Sequence, residues 1–82
     1  MYKLYTKENC QYCVKAKELL KSKNIDFVEY AVENPETRQM LLEIVPTARS
    51  VPQIFDGEEY IGGYKNLVER IRIHERSKFL VG

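Results

Sequence analysis

The chain has 82 residues, 44% hydrophobic and 30% charged, with a formal net charge of +1, which predicts one soluble domain, residues 1–82, with a modest core. So small a net charge gives no broad positive field for a phosphate backbone, and general nucleic-acid binding is excluded. Lys3, Lys7 and Glu8 break up the N-terminal segment and no apolar run approaches about 18 residues, so no membrane span or signal peptide is expected, and the default location is the cytoplasm.

Met1 to Thr6, rich in tyrosine and leucine, reads as a short buried strand, followed by a loop from Lys7 to Asn9. A helix is predicted from Tyr12 to Lys23. Tyr12, Ala16, Leu19 and Leu20 recur at helical spacing to form its inward stripe, with Lys15, Lys17 and Lys21 on a solvated face. Asn24 stops that helix before a second strand from Ile25 to Val32 that contains Phe27, Val28 and Tyr30. Strand, helix and strand within about thirty residues predict a parallel βαβ unit with a right-handed crossover.

Asn34-Pro35-Glu36 combines an N-cap, a proline at the first helical position and an acid in the first turn. It opens a helix of about ten residues whose apolar face is Met40, Leu41, Ile44 and Val45, and Pro46 ends it. Two short strands, Gln53 to Phe55 and Glu58 to Ile61, are joined by Asp56-Gly57, a dipeptide suited to a tight hairpin. Gly62-Gly63 breaks the second strand. A last helix runs from Tyr64 to Arg76 with Leu67, Val68 and Ile71 inward, His74 at the edge of that stripe, and Phe79 to Val81 folding back on the core. No internal repeat or linker is visible.

The chemistry concentrates at Cys10 and Cys13, the only two cysteines, which flank Gln11 and Tyr12 where the strand-like opening becomes helical. A structural staple is a poor reading, because so short a ring gains little loop entropy and its tight geometry stores strain. A zinc site needs four ligands, and the single histidine, His74, is far along the chain. Redox chemistry is therefore the first reading and metal binding the alternative. The thiolate is the nucleophile, and lowering a thiol pKa from about 8.5 to about 6.5 requires roughly 2.7 kcal/mol of anion stabilisation. A helix start can supply it: the macrodipole contributes about 0.3–1 kcal/mol, up to ~2 when partly buried, and an N–H donated to a charged sulfur about 1.5–3. Cys10 at the N-terminus receives both and is the attacking thiol. Cys13, one turn inside and more shielded, is the resolving one.

Several separated motifs agree in order: Tyr5-Thr6-Lys7 before Cys10-x-Tyr12-Cys13, then Ala48-Arg49-Ser50-Val51-Pro52-Gln53-Ile54-Phe55, then Ile61-Gly62-Gly63 with Leu67 four residues on. Together they resemble a small dithiol glutaredoxin over nearly the whole chain, and the Trp-Cys-Gly-Pro-Cys signature of thioredoxin is absent. The resemblance implies an α/β, thioredoxin-like fold: a four-stranded mixed sheet with three helices on its two faces, in the order β-α-β-α-β-β-α. It also implies a glutathione-dependent thiol–disulfide oxidoreductase that reduces protein disulfides and glutathione mixed disulfides. Cys10 and Cys13 would be its catalytic pair. By the same resemblance Lys7 would pair with the glycyl carboxylate of glutathione and Tyr12 would line its groove. Val51 and Pro52 would offer backbone groups across a cis bond, to which an extended peptide adds like a further strand. A monomer is implied, with no metal and with disulfide proteins such as ribonucleotide reductase as clients.

The chain departs from the family pattern at two places. Gln11 replaces a common proline and restores a backbone N–H in the helix's first turn. Lys65 and Asn66 stand where the family carries an acidic pair that holds the γ-glutamyl amino group. Asn66 can accept a hydrogen bond there, whereas Lys65 repels an ammonium. Two other readings follow, a thioredoxin-like electron donor reduced by a flavoprotein reductase and a module holding an iron–sulfur cluster between two subunits through Cys10 and glutathione.

Overall fold

The computed structural model describes the backbone of residues 1–81 and the side chains of residues 1–76. Strands and helices follow as β1 (Tyr2–Thr6), α1 (Gln11–Ser22), β2 (Phe27–Ala31), α2 (Pro35–Ile44), β3 (Gln53–Asp56), β4 (Glu59–Gly62) and α3 (Tyr64–Val81). The sheet order is β2-β1-β3-β4. β1 runs parallel to β2 and antiparallel to β3, and β4 closes the hairpin antiparallel to β3. This is the mixed, thioredoxin-like arrangement expected from the sequence.

The two-residue period of the central strands divides the core between the faces of the sheet. Leu4 and Ile54 point to one face, where Ala16 and Leu20 of α1 and Leu67 and Ile71 of α3 complete a buried cluster. Tyr5 and Phe55 point to the other, against Leu41 of α2 and Val45 just beyond it. Because β1 is central, Leu4, Tyr5 and Thr6 are all buried. Its C-terminal end is thereby a rigid platform for the loop that follows.

The helix ends obey local chemistry. The Asn34 side chain accepts from the N–H groups of Glu36 (2.9 Å) and Thr37 (3.4 Å), so α2 starts where the cap signal lies. Asn24 takes a positive φ of 57° immediately after the Lys23 cap of α1, a conformation that asparagine tolerates better than most residues.

Several expectations need correction. Tyr12 is not part of the inward stripe of α1 but 52% exposed. The helix begins at Gln11, so Cys13, Ala16 and Leu20 fall on the buried side at spacings of three and four. Lys17 is not simply solvated, because its ammonium lies 3.0 Å from the Glu29 carboxylate on the edge strand β2. On α2, Met40 and Ile44 are exposed, whereas Leu41 and, just beyond the helix, Val45 are buried, because the helix meets the sheet by one narrow stripe. The hairpin turn is Gly57-Glu58, one residue later than read, with Gly57 supplying the positive φ of 63° and Asp56 paired to Glu59. α3 continues past Arg76 to Val81. The packing of Phe79 to Val81 on the core lies outside the described residues. His74 is exposed, as expected. Among the described residues no helix is long and apolar enough to cross a membrane.

Candidate active site

The site is built at the C-terminal end of β1. The loop from Lys7 to Asn9 is tied back to the segment before α2, because the Glu8 N–H donates to the Glu33 carboxylate at 2.7 Å. That bond is the main reason Glu33 titrates below the usual carboxylate range, with Lys7 as a lesser, Coulombic contributor. Asn9 turns the chain with φ of 57° and delivers Cys10 to the N-cap of α1 in an extended conformation.

At that position the Cys10 sulfur does what a serine or aspartate oxygen does in other helices: it accepts the Cys13 N–H, at 3.1 Å. The Cys10 carbonyl accepts from Val14 N–H, also at 3.1 Å. No acidic residue lies in the first turn, so nothing there opposes negative charge on the sulfur. Cys10 and Cys13 are joined as a disulfide, with Cα atoms 5.2 Å apart, so the structure is that of the oxidised protein. Cys13 is 1% exposed and Cys10 is more accessible. The difference in depth expected from the sequence is present.

Facing the disulfide is the segment from Ser50 to Pro52. The Val51 carbonyl oxygen lies 3.7 Å from Cys10 Sγ, and the Val51–Pro52 bond is cis, as the motif implied. A feature the sequence reading missed fixes this segment. The buried Gln53 amide donates from Nε2 to the Ser50 carbonyl at 2.8 Å, and its Oε1 accepts from the Tyr60 hydroxyl. The available signal was a glutamine at the head of an otherwise apolar buried strand, since a buried amide must find partners on both its ends.

Two depressions flank Ser50 and Val51 and share them. One, of about 390 Å³, brings Tyr12, Val51, Pro52, Lys65 and Asn66 together with Tyr64. The other, of about 340 Å³, holds Lys7 beside Arg38 and Arg49 over a floor that includes Leu41 and Leu42. The residues selected for glutathione contact thus line two adjoining depressions, Lys7 in one, Tyr12, Pro52, Lys65 and Asn66 in the other, and Val51 in both. Arg38, Arg49 and Tyr64 were not anticipated. Arg49 was legible as the neighbour of the Ser50-Val51-Pro52 motif, whereas Arg38 arrives only through the packing of α2. The exposure of Tyr12 is explained here, because its ring lies 5.8 Å from that of Tyr64 and under the Lys15 ammonium, 5.1 Å from the ring centroid.

Asn66 is partly committed. Its Oδ1 accepts the Gly63 N–H at 3.1 Å, the reach from the third helical position back to the cap residue that forms half of a capping box. Gly62 has φ of 122°, and a Cβ built there would stand 2.6 Å from Asn66 Oδ1. The positive φ favours glycine here, and a side chain would in addition push Asn66 away from the Gly63 N–H. Among the described residues no cluster of three or more histidine, cysteine, aspartate or glutamate side chains converges on a common point.

Comparison with known proteins agrees with this geometry. The Glutaredoxin family model matches residues 3–61. The glutaredoxin of Pseudomonas aeruginosa is 42% identical over 65 residues, covering 78% of this chain and 76% of that one. Among solved structures, glutaredoxin 1 from Francisella tularensis, crystallised with cacodylate, superposes with a TM-score of 0.76 at 29% identity, covering 92% of this chain and 95% of its own. The thioredoxin-like protein BC3987 superposes with a TM-score of 0.75 at 27% identity, covering 88% and 96%.

Proposed function

The chain belongs to the glutaredoxin family and is a thiol–disulfide oxidoreductase, and from that premise we propose that glutathione is its reductant, with Cys10 as attacking thiol and Cys13 as resolving thiol. The observation that carries the assignment of roles is the Cys10 sulfur at the N-cap, receiving the Cys13 N–H while Cys13 itself is buried.

In the reduced protein the Cys10 thiolate attacks one sulfur of a substrate disulfide and expels the other as a thiolate, which takes a proton from solvent. Cys13 then loses its proton and attacks Cys10 Sγ, releasing the second substrate thiol and closing the Cys10–Cys13 disulfide. Two electrons have passed from the dithiol to the substrate. Two glutathione molecules restore it: the first opens the disulfide by bonding to Cys10, and the second removes it as glutathione disulfide, leaving both cysteines reduced. For a glutathione mixed disulfide the Cys10 thiolate takes the glutathione directly, and Cys13 is not needed.

Glutathione would lie along Val51 as an added strand. Lys7 would take the glycyl carboxylate, Tyr12 would line the groove, and Lys65 and Asn66 would meet the γ-glutamyl end beyond Pro52. Protein disulfides and glutathione mixed disulfides in the cytoplasm would be its substrates, handled by a monomer.

The test supplies NADPH with either glutathione and glutathione reductase or thioredoxin reductase alone, and follows NADPH loss during reduction of a mixed disulfide. Turnover only with the glutathione couple is expected. Turnover only with thioredoxin reductase would instead establish the thioredoxin-like reading, which the missing acids at Lys65 and Asn66 and the likeness to BC3987 favour.

A further inference from the structure

The two depressions beside Cys10 contain Lys7, Arg38, Arg49 and Lys65 and not one carboxylate. Twelve acidic residues oppose thirteen basic ones in the chain as a whole, so the imbalance is a property of this face rather than of the composition. None of the four cations enters an ion pair among the described residues. Glu33, a Coulombic neighbour of Lys7, has its carboxylate already engaged by the Glu8 N–H. Three of the cations lie on one side of Val51 and Lys65 on the other, so positive charge brackets the strand-binding segment from both ends.

Glutathione complements only one of these ends well. Its glycyl carboxylate suits the side with three cations, but the γ-glutamyl end is zwitterionic, an ammonium and a carboxylate on one carbon, and offers Lys65 no net negative charge. A stretch of protein chain has no free ammonium at that point. Placed along Val51 as an added strand, it can set an acidic side chain against Lys65 and another against Arg38 and Arg49. From this, and resting on the reading of Cys10 as the attacking thiol, we infer that the preferred substrates are protein disulfides with acidic residues on both sides of the attacked cysteine. Such charges act on the encounter and on the choice of partner more than on the bond exchange itself.

The test uses protein reduced with dithiothreitol and freed of it, in single turnover without glutathione. Three peptides of one length, each with an internal disulfide, carry Asp and Glu, Ser, or Lys on both sides of the target cysteine. Protein oxidation is followed by acid quench, alkylation of remaining thiols and mass spectrometry. At low salt the acidic peptide should react about tenfold faster than the basic one, with the neutral peptide between them. Raising the salt should compress that ratio several-fold, as screening requires. Lys65→Glu and Arg49→Glu should each lower the acidic-to-basic ratio, and the pair should invert it. Comparing peptides on the same variant cancels any change in Cys10 reactivity. Arg72→Glu, the same change of charge on the exposed side of α3, should leave the ratio where it was. Equal rates for the three peptides, faster reaction of the basic one, or an equal effect of Arg72→Glu would each overturn the inference. The glutathione reading is tested separately by the reductase assay, because no glutathione is present here.

Discussion

The two ends of the molecule use charge in opposite ways. At the end away from the cysteines, Arg70 on α3 bridges Asp56 of β3 (3.0 Å) and Glu59 of β4 (2.8 Å), and Lys23 after α1 meets Glu75 of α3 at 2.9 Å. A depression of about 430 Å³ there is lined by Lys23 and His74 and equally by Asp56 and Glu75. At the cysteine end two depressions of similar size hold cations alone. Register separates the ends, since Tyr2 pairs with Asp56 and Tyr5 with Gln53, so the length of β1 stands between them. Paired charges clamp the hairpin to the last helix. Unpaired ones repel each other mildly in the free protein and are relieved by an anionic ligand, which is the arrangement of a binding surface rather than of a joint.

The largest effects should come from the cysteine end. Cys10→Ser removes the attacking sulfur and should abolish reduction of every disulfide substrate. Cys13→Ser should retain glutathione mixed-disulfide reduction while losing protein disulfides that need resolution. Activity persisting in Cys10→Ser would reverse the roles. Next in size is the ionisation of Cys10. Cap geometry, the Cys13 N–H and the surrounding cations all favour the thiolate, so the midpoint of its alkylation rate against pH should lie within about 3.5–7.5. A midpoint at or above about 8.5, the value of an unperturbed thiol, would show that the cap confers nothing.

Away from the cysteines, the effects should appear in stability and not in turnover. Arg70→Ala should destabilise the fold by about 1 kcal/mol in urea denaturation, a modest figure because the side chain is 31% exposed and solvent screens its pairs. Its kcat should match the parent's. One stability effect lies at the C-terminal end of β1 itself, where the Thr6 hydroxyl donates to Glu29 at 2.6 Å, and this bond is the first cause of the lowered Glu29 pKa, with Lys17 adding to it. A lowered folded-state pKa stabilises above the ordinary carboxylate value and loses that contribution as pH falls through the folded value. Thr6→Val should therefore cost about 1 kcal/mol at neutral pH, and the gap from the parent should close under acid. A gap independent of pH would mean that the loss is one of packing.

What was legible in the sequence had local causes. The Asn34 cap, the Gly62-Gly63 break and the cysteine pair at a helix start all declare themselves within a few residues. The strand and helix patterns by themselves reached a βαβ unit, a hairpin and two further helices, and their assembly into one mixed sheet was what the resemblance to glutaredoxins implied. Errors arose where a short apolar pattern admits two rotations of the helix. Tyr12 stands at helical spacing from Ala16 and Leu19 and so reads as inward, although Cys13 fills the core position, and Met40 and Ile44 read as core on a helix that buries one narrow stripe. Convergences across distant segments were invisible. Arg38 beside Lys7, and Gln53 between Ser50 and Tyr60, exist only once the sheet has brought their elements together.

The smallest effect concerns the γ-glutamyl end of glutathione. If the tripeptide lies along Val51, its ammonium approaches the start of α3, where Lys65 is unfavourable and Asn66 offers an oxygen already accepting the Gly63 N–H. Asn66→Asp keeps an acceptor for that N–H, and a carboxylate accepts it at least as well at a helix start, so the cap should survive and a second oxygen becomes free for the ammonium. A partly exposed ion pair contributes about 0.2–1 kcal/mol, so the Michaelis constant for glutathione should fall by a factor of a few, with kcat little changed. Lys65→Asp acts on the γ-glutamyl carboxylate as well as on the ammonium beside it, so its gain should be no larger than that of Asn66→Asp. Both gains should shrink as salt rises, because exposed charges are screened over about 10 Å at 0.1 M ionic strength. The acidic-peptide ratio should move the other way in Lys65→Asp, since the cation that disfavours an ammonium is the one that receives a carboxylate. If neither substitution changes the glutathione dependence at low salt, the tripeptide does not reach α3, and Lys65 serves protein substrates alone.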